Sequence, residues 1–120
     1  MKKRFLFSAF ILVLSIALVA CGKNYDKEIE EVSKLHADSW NSDMSGDAKK
    51  FDEATTNFYV YEEGMVIILV YRPIKNSDFL SYRLYRKNET TGKYEEDYKT
   101  KPKRFMKENK PDYKEENLKE

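Results

Sequence analysis

Hydrophobic positions along this chain form first an unbroken run and then a helical repeat. Residues 5–20 are apolar apart from Ser8 and Ser15. Over residues 24–40, apolar and aromatic side chains recur every three or four positions, which predicts an amphipathic helix. The apolar stripe of this helix comprises Tyr25, Ile29, Val32, His36 and Trp40, and Leu35 widens it.

Beyond residue 56 the pattern becomes that of β-strands. Residues 58–61 and 65–71 are rich in aromatic and β-branched side chains. Glu63-Gly64 between them indicates a tight turn, so the two segments predict a hairpin. The second segment is apolar at both alternating sets of positions, and we therefore expect it to be a central strand.

Two further strands are predicted at 78–87 and 93–99, with a polar turn between them. One helix followed by four strands with short connections predicts an α+β fold, in which the N-terminal helix packs on a four-stranded antiparallel meander sheet. This domain is expected to occupy residues 24–99. Residues 100–120 are highly charged and contain two prolines, so we interpret them as a charged C-terminal tail, unstructured or loosely docked, with Phe105, Met106 and Tyr113 as possible packing points.

The start of the chain has the layout of an export signal. Lys2, Lys3 and Arg4 precede the apolar run, and no acidic residue occurs before Asp26. The run is shorter than the roughly 20 residues that a bilayer-spanning helix needs. A cleaved signal peptide over residues 1–20 is therefore favoured over a retained membrane anchor.

Net charge excludes one class of partner. The predicted signal peptide holds three of the 22 basic residues and none of the 21 acidic ones, so the remaining chain has 19 basic residues against 21 acidic. Its formal charge of −2 lacks the strong basic excess of nucleic-acid-binding domains. No nucleic-acid partner is expected.

Cys21 is the only cysteine, which leaves no possibility of an internal disulfide. Its context, Leu18-Val19-Ala20-Cys21 followed by Gly22, resembles a lipobox. This resemblance implies a diacylglyceryl group on Cys21 and cleavage before it, so that the membrane becomes a partner through the acyl chains. Residues 21–23 would then be a tether of roughly 10 Å, at about 3.5 Å per residue, and the domain would sit on the outer face of the cell membrane.

Several segments together resemble a known family. They are Cys21-Gly22 after the lipobox, Tyr25-Asp26-Lys27-Glu28-Ile29, the hairpin from Tyr59 to Gly64, and Tyr94-Glu95. The chain is similar to the small cystatin-like-fold lipoproteins of Gram-positive bacteria, a domain family without assigned chemistry. The resemblance implies a helix gripped by an antiparallel sheet. It also implies relatives on integrative conjugative elements, where surface lipoproteins can act in exclusion of redundant transfer.

Chemistry-bearing residues are sparse. The single histidine, His36, falls within the apolar stripe, which favours a packing role over a catalytic one. No catalytic triad, metal cluster or glycine-rich phosphate loop is recognisable, so we expect neither an enzyme nor a cofactor. Protease inhibition of the cystatin type is disfavoured because that hairpin needs a Gln-x-Val-x-Gly motif and this chain contains no glutamine.

The remaining candidate is a binding surface. Strand alternation predicts that the sheet face turned away from the helix carries Tyr59, Tyr61, Arg83 and Tyr85, a composition typical of interface hot spots. The leading hypothesis is a non-enzymatic module that binds an envelope or membrane protein, with conjugative exclusion or a conjugation accessory role as its most specific form. The alternative is an envelope sensor or a lipoprotein that binds a small solute.

Overall fold

A computed structural model describes residues 25–42, 46 and 49–118 of the protein. The predicted signal peptide, Cys21 and the tether 21–23 lie outside the described residues. Within the described ranges, no helix combines the length and apolar character needed to cross a membrane.

The predicted N-terminal helix is confirmed, with its bounds shifted by two residues. Helix α1 spans Asp26–Ser42, and carboxylates in its first turn, Asp26 and Glu28, complement the positive end of the helix dipole. The side chains that it buries against the sheet are those of Ile29, Val32, Ser33 and His36.

The sheet is antiparallel and has five strands rather than the four predicted. The strands are β1 (Asn57–Tyr61), β2 (Val66–Tyr71), β3 (Ser81–Lys87), β4 (Tyr94–Glu96) and β5 (Tyr113–Glu116), in the spatial order β4-β3-β2-β1-β5. Short 3₁₀ turns occupy Glu53–Thr55 and Glu62–Gly64. The predicted hairpin and the central position of β2 are confirmed, whereas β3 begins three residues later than expected and β4 is shorter at both ends.

The prediction of a loosely docked C-terminal tail over 100–120 is wrong for its described part. Helix α2 spans Pro102–Glu108, and β5 pairs with β1 from Asn57↔Glu116 to Val60↔Tyr113. Strand β5 escapes the hydrophobic pattern because its charged side chains belong to an edge strand, held by main-chain hydrogen bonds to β1. The domain therefore extends from residue 25 to residue 118 instead of ending at residue 99.

Each face of the sheet has its own hydrophobic core. On the helix face, which contacts α1, the buried strand residues are Phe58, Val60, Ile67, Leu69, Tyr71, Tyr85 and Tyr94. On the opposite face they are Tyr61, Val66, Ile68, Val70 and Leu84, covered in part by Phe105 and Met106 of α2 and by Leu118. All six residues of β2 are buried because the strand is covered from both sides.

The sheet has two distinct ends, fixed by the path of α1. At the turn end, the Tyr25 ring lies against Gly64 in the β1–β2 turn. At the loop end, the Trp40 ring packs on Tyr71, the last residue of β2, and its indole N–H donates to the Lys49 carbonyl at 2.7 Å. Since a helix rises 1.5 Å per residue, the 17 residues of α1 separate the two ends by about 25 Å.

Candidate binding surface

The four tyrosine and arginine residues predicted to form one outward surface lie on both faces of the sheet. Tyr59 and Tyr61 do lie opposite α1, but Arg83 and Tyr85 belong to the helix face, since they pair with Leu69 and Ile67. Tyr61 is only 2% exposed and Tyr85 only 3%. The predicted outward position of Tyr61, Arg83 and Tyr85 is therefore wrong.

The physical reason for this error is that the sheet is covered on both sides. Leu80, just before β3, alternates with Tyr82 and Leu84 as a core face would, but all three pack on the side opposite α1. With apolar residues at both sets of positions, side-chain parity within a strand cannot tell which face meets the helix.

His36 lies at the centre of an aromatic cluster beneath α1. Its imidazole Nδ1 is 3.0 Å from the Tyr85 hydroxyl oxygen, and its ring contacts those of Phe51 and Tyr71 edge-on. Burial, together with the positive charge of nearby Arg83, lowers the pKa of His36 to about 4. The imidazole is therefore neutral at physiological pH, and the predicted packing role of His36 is confirmed.

Arg83 connects this cluster to the edge of the sheet. Its guanidinium forms an ion pair of 3.3 Å with Glu96 of β4, and the two side chains are partly exposed. Burial raises the pKa of the Tyr85 hydroxyl, with the negative charge of Glu96 adding to the effect. The cluster thus contains a neutral base and a neutral phenol packed among aromatic rings.

Over residues 25–42, 46 and 49–118, no group of three His, Cys, Asp or Glu side chains is arranged to hold a metal ion.

Two of the four large hydrophobic side chains that are exposed among the described residues lie in the β2–β3 loop, residues 72–80, at the loop end of the sheet; the other two are Leu35 and Tyr98. Phe79 is 61% exposed and Ile74 is 43% exposed. A cleft of about 500 Å³ lies beside them, lined by Lys49, Arg72, Ile74, Lys75, Asn76, Ser77 and Asp78. The loop has local order, because the Phe79 N–H donates to the Ser77 hydroxyl at 3.2 Å.

A groove of about 310 Å³ opens on the opposite face at the same end. Its lining residues are Asn57, Tyr59, Val70, Arg72, Leu80, Tyr82, Met106 and Leu118. Helix α2 packs Phe105 on Tyr61 near the turn end, with ring centroids 5.0 Å apart, and so leaves the loop-end half of this face less covered. We call this cavity the opposite-face groove. Of the four residues predicted for the interface, it contains Tyr59 alone.

Sequence reasoning missed both features. Arg72-Pro73 and Asn76-Ser77-Asp78 identify residues 72–80 as a break between strands, but the pattern does not separate exposed Phe79 from buried Phe58. The groove depends on where α2 packs, whereas the composition of residues 100–120 predicts a tail. Phe105 and Met106, which the sequence suggests as possible packing points in this charged segment, do pack against the core of the opposite face.

One long helix packed across an antiparallel sheet defines the cystatin-like class of α+β domains. The family model described as a domain of unknown function with cystatin-like fold (DUF4467) matches residues 25–117, and the chain belongs to this family. The match includes α2 and β5, in agreement with a domain that continues beyond residue 99.

A solved structure supports the same assignment. The chain is similar to a DUF4467 family protein from Staphylococcus aureus subsp. aureus Mu50, with 27% sequence identity and a TM-score of 0.71. The similarity covers 80% of this chain and 100% of that one. No curated protein matches the chain.

Proposed function

We propose that this protein is a lipid-anchored extracellular lipoprotein whose cystatin-like domain binds another protein of the cell envelope through the loop end of its sheet. The observation that carries the proposal is the exposure of Phe79 and Ile74 beside Arg72, in a loop at the end of the sheet opposite the first turn of α1. Aromatic and arginine side chains are enriched in interface hot spots.

The lipid anchor and the loop end would lie at opposite ends of α1, so that the loop end could reach a partner away from the membrane. A diacylglyceryl group on Cys21 stands only a few residues before α1, and two acyl chains hold a protein stably on a membrane. If α1 stands upright on the membrane with its first turn near the lipid, its length of about 25 Å holds residues 72–80 away from the bilayer surface. A partner protruding from the same envelope would therefore meet Phe79 first.

Lipidation is tested by the variant Cys21→Ser of the full chain. We expect the precursor to keep its signal peptide and metabolic labelling with palmitate to be lost. The control variant is Ser33→Ala, which lies in α1 and leaves the lipobox unchanged. Ala20→Val is not a suitable control because it alters the sequence at the cleavage site. Palmitate labelling of the Cys21→Ser protein would overturn the lipoprotein assignment.

Binding through the loop end is tested in living cells with a photo-crosslinking amino acid at position 79. The matched control carries the same group at position 98, since Tyr98 is also an exposed aromatic side chain but lies outside the loop. We expect a discrete adduct with one envelope protein from position 79 and none from position 98. Equal adducts from both positions, or none from position 79, would contradict the proposal.

Conjugative exclusion is the most specific form of this function, and its support is the resemblance to lipoproteins of integrative conjugative elements. In a mating assay, recipients producing the parent protein should accept the element less often than recipients producing Phe79→Ser. If deleting the whole gene leaves transfer frequency unchanged, the exclusion form fails and the protein-binding form stands.

A second candidate is a sensor that binds a small solute, favoured by the opposite-face groove. Its volume of about 310 Å³ is at the lower end of the range for ligand pockets. The protein-binding function is preferred because the large exposed side chains lie outside the groove, where a small solute would leave them uncovered.

A further inference from the structure

We propose that the opposite-face groove receives one large apolar side chain from an acidic segment of the partner protein. This inference rests on the proposed function and names the chemistry that the partner must present. Three observations carry it: the lining of the groove, the fixed position of its walls, and the charge at its rim.

The lining is suited to a single apolar side chain. Val70, Leu80, Met106 and Leu118 supply aliphatic surface, and Tyr59 and Tyr82 add aromatic surface. Burial of a large apolar side chain in such a lining stabilises a complex because apolar surface is removed from water. A volume of about 310 Å³ accommodates one such side chain and little of the main chain that carries it.

Both aromatic walls are held in place before any partner arrives. The Tyr59 hydroxyl donates to the Glu116 carboxylate at 3.0 Å and accepts from the Asn57 amide at 3.2 Å. On the other wall, the Lys103 ammonium lies 4.9 Å from the centre of the Tyr82 ring, a cation–π contact. A preformed site avoids part of the entropy cost of ordering side chains on binding.

The charge around the groove favours an acidic segment. Arg72 belongs to the lining and Lys103 stands over Tyr82. The nearby carboxylate of Glu116 already interacts with the Tyr59 hydroxyl and, at 3.3 Å, with the Lys114 ammonium. In and beside α2, which packs on this face, the exposed basic residues are Lys101, Lys103, Arg104, Lys107 and Lys110, against the exposed acidic residues Glu108, which pairs with Arg104 at 3.7 Å, and Asp112.

The opposite side of the domain has the reverse charge. The exposed or half-exposed ionisable residues of α1 are Asp26, Lys27, Glu28, Glu30, Glu31, Lys34 and Asp38, five acidic and two basic. An acidic partner is therefore attracted to the α2 side and repelled from the α1 side, which fixes the approach direction.

Leu80 and Arg72 also flank the loop that carries Phe79, so the groove and the loop end form one continuous surface.

The inference is tested with the full chain in nanodiscs and fluorescent nonapeptides of defined sequence. The first peptide has a central phenylalanine flanked by aspartates, the second replaces this phenylalanine with serine, and the third replaces the aspartates with lysines. We expect only the first to bind, with affinity falling as salt is raised. Free phenylacetate, which offers an aromatic ring and a carboxylate without a chain, is the small-solute probe.

Two variants and one control locate the binding site. Leu80→Glu places a charge in the groove, and Lys103→Glu reverses the charge at its rim. Each should weaken binding of the acidic peptide by about tenfold, corresponding to about 1.4 kcal/mol. Lys107→Glu is the control, because Lys107 is also an exposed lysine of α2, whereas Lys103 is the lysine that lies over the Tyr82 ring of the groove lining. At about 0.15 M salt, where screening acts over roughly 8 Å, it should change binding much less.

The outcomes separate this inference from the proposed function. Binding that ignores the central phenylalanine or survives Leu80→Glu overturns the groove site, as does the absence of binding by all three peptides. Phenylacetate binding as tight as the acidic peptide would make the groove a small-solute site instead. If the cross-link from position 79 persists in Leu80→Glu cells while peptide binding is unaffected by that variant, the loop end binds a protein and the groove does not.

Discussion

His36 of α1 and Tyr85 of β3 are joined by a buried hydrogen bond of 3.0 Å between the imidazole Nδ1 and the phenol oxygen. This contact links the C-terminal half of the helix to a strand in the middle of the domain. Burial of the imidazole disfavours its protonation and lowers its pKa, and the positive charge of Arg83, on the same face two residues before Tyr85, adds to this effect. The helix therefore packs on the sheet with a neutral histidine.

Acidification is predicted to destabilise the fold through His36. Its pKa is about 4 in the folded protein and 6.5 for an unperturbed histidine, so between these values the unfolded chain binds more protons. The contribution to stability is complete above pH 6.5 and is lost as pH falls towards 4. From the size of this pKa difference we expect a loss of about 2–3 kcal/mol, measured by urea denaturation at several pH values.

The control for this prediction is His36→Asn, which retains an acceptor for the Tyr85 hydroxyl but does not titrate. The variant should be less stable than the parent at pH 7.5, and the difference should shrink on acidification. If the two proteins lose stability in parallel between pH 6.5 and pH 4, the histidine does not control the acid response.

Substitution of Tyr61 is predicted to disrupt the core, although the strand pattern suggested a surface position. The side chain is 2% exposed and its ring meets that of Phe105 edge-on. Tyr61→Ala should cost about 3–5 kcal/mol of unfolding free energy, as for other buried aromatic side chains. Phe79→Ser, at an exposed position, should change the same quantity by less than about 0.5 kcal/mol. Similar denaturation midpoints for both variants would show that α2 does not cover Tyr61.

Truncation after Thr100 is predicted to unfold the domain. It removes α2 and β5, which exposes Tyr61, Ile68 and Leu84 and leaves the edge of β1 unpaired. We expect lost thermal cooperativity, followed through the fluorescence of Trp40, and aggregation through the uncovered edge. A cooperative transition at the parent temperature would mean that residues beyond 100 are indeed a dispensable tail.

The β1–β2 turn contains residues with strained backbone angles. Substitution at Glu63 should relieve this strain, and substitution at Gly64 should increase it. Glu62, Glu63 and Gly64 all have positive φ, at 51°, 54° and 94°. Glu63→Gly should stabilise the protein by about 0.5 kcal/mol, because glycine adopts this conformation without a steric penalty but loses more entropy on folding. The Glu63 N–H, which donates to the Asp112 carboxylate at 2.8 Å, is retained in this variant.

Gly64→Ala should act in the opposite direction. A side chain there would have an unfavourable φ of 94°, while the new Cβ would only reach ordinary van der Waals contact with the Tyr25 ring, 3.4 Å away. We expect a loss of about 1–2 kcal/mol by denaturant titration. An unchanged midpoint would show that the turn readily adopts another conformation.

The local pattern of the sequence was sufficient for α1, the β1–β2 hairpin and the central place of β2. Each of these elements has a hydrophobic periodicity set by its own geometry, 3.6 residues per turn or alternation along a strand. His36 was also assigned to packing because its position in the apolar stripe reflects the same helical repeat. These features need no knowledge of distant contacts.

The sequence by itself therefore determined the helix, most strands and the α+β class, while tertiary structure decided the fifth strand, the faces of Arg83 and Tyr85, and the candidate binding surface. Strand β5 is stabilised by main-chain pairing with β1, which leaves little trace in side-chain pattern. The face of Tyr85 follows from its pairing with Ile67, and the groove exists only because α2 covers one half of a sheet face. Contacts between residues distant in the chain are the physical cause in every case, and they are absent from any local window of sequence.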